Sequence, residues 1–549
     1  MRVDLIWLQT TPAAPPLWAL GATRCAGDRP AELAAAVAAR PPGADFVLFW
    51  DAALGAPDAL TVAALAGQAR ADVWHAGLAL GMGGLPRLID FVDPAWRLNR
   101  DPDPAVAATS WRLSLRACLV RAAVLDRLGG PDPHFTGAAG AALELGHRWS
   151  RGGALLRHAP ELLPALQPSA APAIPLDDEI RFLRLRFGRM WTAWGCWRHW
   201  RRGAALGRTW RAYRRPQPPG IQPPAAPLHA LEPPEAPAAA WPTVTILIPT
   251  LDRYPHLFNL LDQLRRQTAP PLEIIVVDQT APGDYDPTWP ARFADLPLRV
   301  IRREQPGQCS SRNAGLLAAR GETVLFLDDD DEVTPDLIAH HLAFLGRFDV
   351  DASCGVAEEA GAGLLPPEFG LIRDSDVFPT NNTLLRVAAL AGSGLFDLAY
   401  ERGERADHDL GMRLYLSGAA LALNPAASVL HLHAPRGGLR QHRARVTTRA
   451  ASRASLLKRT ILSPTEAYLW YRYFNETQVA EAMLIRTVGT VRGGGSGVRR
   501  LARAVLMGIL LPDTWRRNRA SLARGKALLG EYPAIPDYNP AKIEELWPT

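Results

Sequence analysis

The stretch TVLFLDDDDEVTPDL, residues 323–337, decides how the chain folds. A short apolar run with no charge leads directly into four consecutive aspartates, and Pro335 follows where the first turn of a helix tolerates it. A buried strand, an acidic turn and a helix start make one unit of a layered α/β fold. Working outward, VTILIPT (244–250) and LEIIVVDQT (272–280) read as further buried strands. The amphipathic run from His256 to Gln267 separates them, and SSRNAGLLAAR (310–320) supplies another helix. This alternation predicts a mostly parallel sheet covered by helices. Ligands of such sheets bind beyond the carboxyl ends of the strands. Pro249, Thr250, Asp252, Asp278, Gln279 and the run Asp328, Asp329, Asp330, Asp331 fall at those ends and are expected to line one crevice.

The pattern occurs twice. VDLIWLQ (3–9) matches the strand at 244–250, and DFVLFWDAALGAPDAL (45–60) matches 322–337. Residues 118–160 align with 383–425 at a constant offset of 265 without a gap, and 14 of the 43 pairs are identical. Among them are Arg121/Arg386, Gly129/Gly394, Asp132/Asp397, Arg148/Arg413 and Gly153/Gly418. Three matches in one order favour a duplication over chance similarity. The copies differ where chemistry would sit: Asp330 corresponds to Ala53, Asp407 to Ala142 and Asp409 to Glu144.

The second copy resembles the inverting family-2 glycosyltransferases of the GT-A fold. ILIPTLDR looks like that family's first strand and turn, VVDQT like its VVDDGS segment, and SSRNAGLLAARGETVLFLDDDDEVTPD like its RN-x-G…FLD-x-DD stretch. ERADHDLGMRLYLSG resembles its ED-x-DL element. The motifs stand in order across about 244–435. Two positions depart from the pattern: Gln279 replaces the second acid of the DD pair, and Ala406 replaces the Glu before Asp407, with Glu404 nearby but out of register. The first copy resembles the same fold only weakly.

The resemblance implies a nucleotide-sugar donor, whose diphosphate leaving group builds negative charge that a hard divalent cation neutralises. Mg2+ or Mn2+ takes oxygen ligands. Alternate residues of a turn tend to face one way, so Asp328 and Asp330 are the natural pair. By resemblance Asp330 is the principal metal ligand, with Asp328 and Asp329 serving ribose, metal or its surroundings. Taken alone, the run would read as a solvated acidic loop. An acceptor hydroxyl must lose its proton as it attacks, and a carboxylate can take it. Asp407 occupies the family's base position, with Asp409 the second choice; a helix-capping role for Asp407 is compatible. His431 and His433 alternate in VLHLHAPRGG, and His433 is the expected additional metal ligand. Arg436, Arg440 and Arg443 could close over a diphosphate. Arg312 is expected at the nucleotide, and Asn381 and Asn382 near the acceptor.

The chain has 549 residues and a formal charge of +6, unevenly spread. Residues 180–215, 436–459 and 492–526 carry +11, +8 and +8, which leaves −21 for the remainder. Five scattered cysteines with no C-x-x-C pair exclude a disulfide scaffold and a zinc ribbon. No apolar run approaches the roughly 18 residues that span a bilayer, and Asp4, Pro12 and Pro15 spoil a signal peptide. The expected location is cytoplasmic, possibly peripheral on the cytoplasmic face of a membrane.

The apolar stripe Ile180, Leu183, Phe187, Met190, Trp191, Trp194, Trp197, flanked by Arg181, Arg184 and Arg189, fits two readings equally: an anionic membrane surface, or docking on the adjacent domain. Leu501, Val505, Ile509 and Leu510 suggest a second interfacial helix. No nucleic acid is expected, since no such module is present. The expected order is a degenerate GT-A-like domain (1–165), a basic Trp/Arg-rich helical segment (176–215), a Pro/Ala-rich linker (216–242), a catalytic GT-A domain (243–440) and a helical C-terminal region (441–549). The function expected is metal-dependent inverting transfer of a sugar from a nucleotide-sugar donor to a glycan or lipid-linked acceptor, in cell-envelope or polysaccharide biosynthesis. The alternatives are a non-catalytic glycan- or lipid-binding scaffold on the same fold and a nucleotidyltransferase. The latter would need a Gly-rich basic loop that ILIPTLDRYPHL lacks.

Overall fold

The computed structural model describes residues 1–76, 102–163, 174–201, 203, 205–222, 226–234, 241–361, 363–434, 459, 461–491 and 497–539. Two sheets organise the chain. The first contains β1 (Val3–Leu8), β2 (Thr23–Ala26), β3 (Phe46–Asp51), β4 (Val73–His75), β5 (Ala108–Thr109), β6 (Ala117–Arg121) and β7 (Leu156–His158), in the order β2-β1-β3-β6-β4-β7-β5. The second contains β8 (Val244–Thr250), β9 (Glu273–Asp278), β10 (Leu298–Arg302), β11 (Thr323–Phe326), β12 (Asp331–Val333), β13 (Ala352–Glu359), β14 (Arg373–Asp374), β15 (Thr383–Arg386) and β16 (Leu421–His431). Its order is β10-β9-β8-β11-β15-β13-β16-β12, with β14 beside β16.

The central strands β1, β3, β8, β9 and β11 form because nearly every residue along them is buried on one face or the other. In β8, Val244, Ile246 and Ile248 enter the core on one side while Leu247 enters the core on the opposite side. Ile274 and Val276 of β9 separate from Ile275 and Val277 in the same way. A strand covered on both faces needs apolar residues at successive positions, the composition that marked these segments in the sequence. In the first sheet, Phe46, Leu48 and Trp50 face away from Val47 and Phe49. Both sheets are therefore the middle layer of a mixed, mostly parallel α/β arrangement.

The two sheets repeat hydrogen bonds at the offset of the sequence alignment. Arg148 donates to Leu128 O, and Arg413 donates to Ser393 O. Asp132 accepts from His134 N at 3.0 Å, and Asp397 from Ala399 N at 2.9 Å. Arg148 pairs with Glu144 as Arg413 pairs with Asp409, each acid four residues earlier on its helix. The helices that follow dock alike: Arg181 meets Asp132 at 2.5 Å, and Arg472 meets Asp397 at 2.9 Å.

The contact between the sheets follows the same arithmetic. Gly153 (φ +99°) packs so closely that a Cβ would lie 2.8 Å from Ile372 O, and at Gly418 (φ +94°) a Cβ would lie 2.6 Å from Ala107 O. Residues 153 and 418, and residues 107 and 372, are each 265 apart. Contacts that exchange partners in this way are isologous, the pattern of a two-fold interface. Both glycines also need the left-handed backbone region open to them. Leu155 lies in the core of the second sheet, and Asp374 accepts from Leu156 N at 2.9 Å and pairs with Arg157.

Of the two readings of the Trp/Arg-rich stripe, its first half docks. Ile180, Leu183 and Phe182 are buried with Trp111, Phe135 and Leu143 of the first unit. Part of the Pro/Ala-rich stretch also packs rather than spacing the units freely. Leu228 is buried, His229 lies 2.9 Å from Asp72, and Arg347 donates to Ala230 O at 3.0 Å. Among the described residues no helix is long and apolar enough to cross a membrane.

Candidate active site

The acidic run leaves β11 and re-enters the sheet as β12, which pairs antiparallel with the end of β16. That register sets Asp331 opposite His431. Asp331 accepts from His431 Nδ1 at 3.0 Å and from the Asp328 amide at 2.8 Å. One ligand atom each of Asp328, Asp330 and His431 lies within 4.8 Å of the others. The expected pair Asp328 and Asp330 is thus brought together, but the histidine beside it is His431 and not His433. The reason is backbone geometry. His433 has φ +55°, the chain turns there, and its Nε2 lies 3.3 Å from Glu359.

Four carboxylates in one turn repel one another, and burial removes the water that would screen them. Asp329 is pushed up to about 6 by burial, against the pull of Arg253 and with the push of Asp330. Burial works to lower the pKa of His431, but its bond to Asp331 and the charges of Asp328 and Asp330 raise it overall. Protein cations temper the cluster. Arg253 Nη1 lies 2.9 Å from Asp329 and 3.1 Å from Asp330, and Arg312 Nη2 donates to Asp328 at 2.8 Å. Asp330 accepts from the Ala434 amide through Oδ2 at 2.7 Å, while its buried Oδ1 accepts no hydrogen bond and is paired by charge alone with Arg253 Nη1 at 3.1 Å. That oxygen, with Asp328 and His431, fits a divalent cation that accepts two carboxylates and an imidazole.

The other expected residues divide. Thr250 donates to Asp329 at 2.7 Å and so holds the acidic turn. Asp252, at φ +57°, turns the chain after β8 and accepts from the Ala281 amide at 3.1 Å. Pro249 pairs with Val277 in the β8–β9 ladder. Asp278 is fully buried, with Tyr254 OH at 2.8 Å, Trp289 Nε1 at 3.2 Å and Thr280 N at 2.9 Å. These three donors hold its carboxylate at the end of β9. Gln279 accepts from Gly307 N at 2.6 Å and so fixes the loop before the Arg312 helix. Asn382, expected near the acceptor, is buried and bonded to His341, Val356 O and Ala427 O.

Asp407 and Asp409 lie on the first turn of the helix Ala406–Leu416 but have different surroundings. Asp407 keeps 37% of its side chain exposed and pairs with His408 at 3.0 Å. Burial works to raise its pKa, yet His408 and Arg405 lower it to about 2, so it is ionised at neutral pH. Asp409 is fully buried, bonded to Arg413 at 2.8 Å and to Tyr473 OH at 2.8 Å. The second-choice base is thus a carboxylate that a substrate hydroxyl cannot reach. Gln308, at the start of the Arg312 helix, donates to Tyr400 O and Gly403 O and ties the metal-side helix to the loop before Asp407. Arg436, Arg440 and Arg443 lie outside the described residues.

The sequence reading assigned no role to Arg253 or Glu401, and of the two histidines in VLHLHAPRGG it pointed to His433 rather than His431. Glu401 seals the start of the Arg312 helix by accepting from Cys309 N at 2.8 Å and Ser310 N at 2.9 Å. Arg253 carried a signal as the final residue of ILIPTLDR.

Residues 245–391 match the family model "Glycosyl transferase family 2". Over residues 245–391 the chain is thus similar to the family-2 glycosyltransferases. Two curated relatives align with part of it. An uncharacterized glycosyltransferase, YwdF, of Bacillus subtilis (strain 168) is 39% identical over 93 residues, 17% of this chain and 34% of that protein. The GalNAc(5)-diNAcBac-PP-undecaprenol beta-1,3-glucosyltransferase of Campylobacter jejuni is 29% identical over 144 residues, 25% of this chain and 46% of that protein. The glycosyltransferase domain therefore spans less than half the length of either relative. Among solved structures, the mannosyltransferase PcManGT of Pyrobaculum calidifontis in complex with GDP-Man and Mn2+ overlaps 68% of this chain and 91% of its own, at 17% identity and a TM-score of 0.32.

The first sheet carries no comparable acidic cluster among its described residues. Asp51, the counterpart of Asp328, is bonded to Arg116 Nε at 2.5 Å and to Thr10. Asp51 keeps a guanidinium partner, as Asp328 does in Arg312, but Ala52, Ala53 and Leu54 stand where Asp329, Asp330 and Asp331 follow it. Asp51→Asn is expected to leave the rate of sugar transfer within about twofold of wild type. It should lower stability by about 1–2 kcal/mol, discounted because Arg116 is 40% exposed. Parallel transfer assays and denaturant titrations check both parts.

Proposed function

We propose that the chain is a metal-dependent inverting glycosyltransferase that moves a sugar from a nucleoside-diphosphate sugar to a glycan or lipid-linked acceptor. The unit at 1–165 is read as its degenerate copy. The observation that carries the reading is the Asp328, Asp330 and His431 cluster at the sheet's carboxyl edge; an ionised, partly exposed Asp407 opens the helix whose preceding loop Gln308 ties to the Arg312 helix. Asp328, Asp330 and His431 would hold Mg2+ or Mn2+, which when bound neutralises charge on the departing diphosphate. Arg312 and Arg253 are placed to share that role. Thr250, Asp252 and Gln279 shape the donor crevice. Asp407 accepts the hydroxyl proton as the acceptor oxygen bonds to the anomeric carbon and the bond from that carbon to the diphosphate breaks. The relative named for an undecaprenol-linked substrate supports, at partial coverage, a lipid-linked acceptor.

The test is a panel of nucleotide sugars with Mn2+ or Mg2+, with and without EDTA, read by nucleoside-diphosphate release. The expected result is one preferred donor, loss of turnover on chelation, and recovery when metal is restored. Asp407→Asn is expected to keep metal-dependent donor binding while lowering kcat by about two to four orders of magnitude. Donor binding without turnover by the wild type for every acceptor would favour the scaffold reading. Turnover indifferent to EDTA would overturn the metal assignment.

A further inference from the structure

The helix Gly497–Ile509 turns Arg503, Leu506 and Met507 toward the protein. Met507 is fully buried, and Arg503 is buried with Nη2 3.3 Å from Thr490 O. On the opposite side Val498, Leu501, Val505 and Ile509 recur at helical spacing and are 81, 67, 58 and 72% exposed. A ridge of four aliphatic side chains left in water marks a contact surface.

Its surroundings are cationic. Arg500 lies exposed on the same helix, and the next helix, Leu511–Glu531, begins with exposed Trp515, Arg516, Arg517 and Arg519. The one acid within 492–526 is Asp513, and Arg459, Arg516 and Arg517 share it at 2.6, 2.9 and 2.8 Å. The first basic segment joins this region. Arg198 Nε donates to Glu481 at 2.8 Å, and the helices around it leave Met190, Trp200 and Trp210 about half exposed.

We propose that the Gly497–Ile509 face docks on an anionic lipid surface, with its aliphatic ridge at the headgroup–acyl boundary and the arginines on lipid phosphates. Such a helix lies in the plane of the membrane. A second copy of the chain would also cover the ridge, but it would bring a segment of net charge +8 against its equal. Charge complementarity selects an anionic surface. The proposal moves the membrane contact from the stripe at 180–197, whose first half is buried, to the C-terminal helix. It does not depend on the reading of the active site.

The experiment is co-sedimentation of the full chain with phosphatidylcholine vesicles, with or without phosphatidylglycerol. Wild type is expected to bind the anionic vesicles at least about tenfold more than the neutral ones, with binding falling as salt rises. Leu501→Glu with Val505→Glu should remove most of that binding without moving the thermal midpoint, because both side chains are exposed. Val498→Glu serves as the second variant should the pair misfold. Failure of wild type to bind, or variants that bind as wild type does, overturns the proposal. A dimer in light scattering that the variants dissolve, without vesicle binding, would assign the ridge to a second copy instead.

Discussion

Asp330→Ala is expected to lower the rate of sugar transfer by about a thousandfold, the consequence of losing several kcal/mol of charge stabilisation at the leaving group. The geometry also predicts what will not happen. Asp330 stands in a run of four carboxylates, so its removal relieves repulsion from Asp329, which offsets the loss of the 2.7 Å bond from the Ala434 amide and of the 3.1 Å pair with Arg253, a cation that keeps Asp329 as partner. The metal-free variant should melt close to wild type. A cation bound to the native state at about a hundred times its dissociation constant adds about 2.7 kcal/mol of stability. That increment should appear for wild type on adding Mn2+ and be absent in the variant. Full activity in Asp330→Ala would remove the metal site from the mechanism.

Asp409→Ala is expected to do the reverse and unfold the domain before any chemistry can be scored. Its carboxylate is fully buried and neutralises Arg413, only 9% exposed, while holding Tyr473 OH and lying 3.7 Å from Arg472. Removing one member of such a buried pair leaves the other uncompensated, at a cost of about 3–5 kcal/mol. Because Tyr473 and Arg472 belong to the helix Pro464–Tyr473, the C-terminal region should loosen with it. Denaturant titration measures the loss, and proteolysis after residue 461 reports the loosening. A stable Asp409→Asn with no turnover would instead return Asp409 to the chemistry.

The central strands at 244–250, 272–280 and 323–327 and the acidic edge were legible because two-sided burial demands apolar runs, and the turn after such a run is where charge can collect; the order of strands in the sheet was not. Asp328 and Asp330 followed from that logic. His431 did not. Choosing between two histidines two residues apart needs the register of β12 on β16 and the left-handed turn at His433, which no local pattern announces. Asp407 and Asp409 were likewise indistinguishable by position. Burial separates them, and the burial comes from Tyr473, a residue 64 positions away. The Trp/Arg-rich stripe was ambiguous because a docking helix and a membrane helix share one amphipathic pattern. Trp111, Phe135 and Leu143, supplied by the first unit, decide for docking.

The close approach of Gly153 to Ile372 and of Gly418 to Ala107 has a further consequence. A pair of separate subunits joined through such a contact would come apart on dilution and would carry two equal catalytic centres. Here both halves lie on one chain, so the association is insensitive to protein concentration. Among the described residues one acidic cluster faces a sheet edge, so active-site titration should give one donor bound per chain. The surface formed by the first half is then free to diverge, because it need only keep its grip on the second.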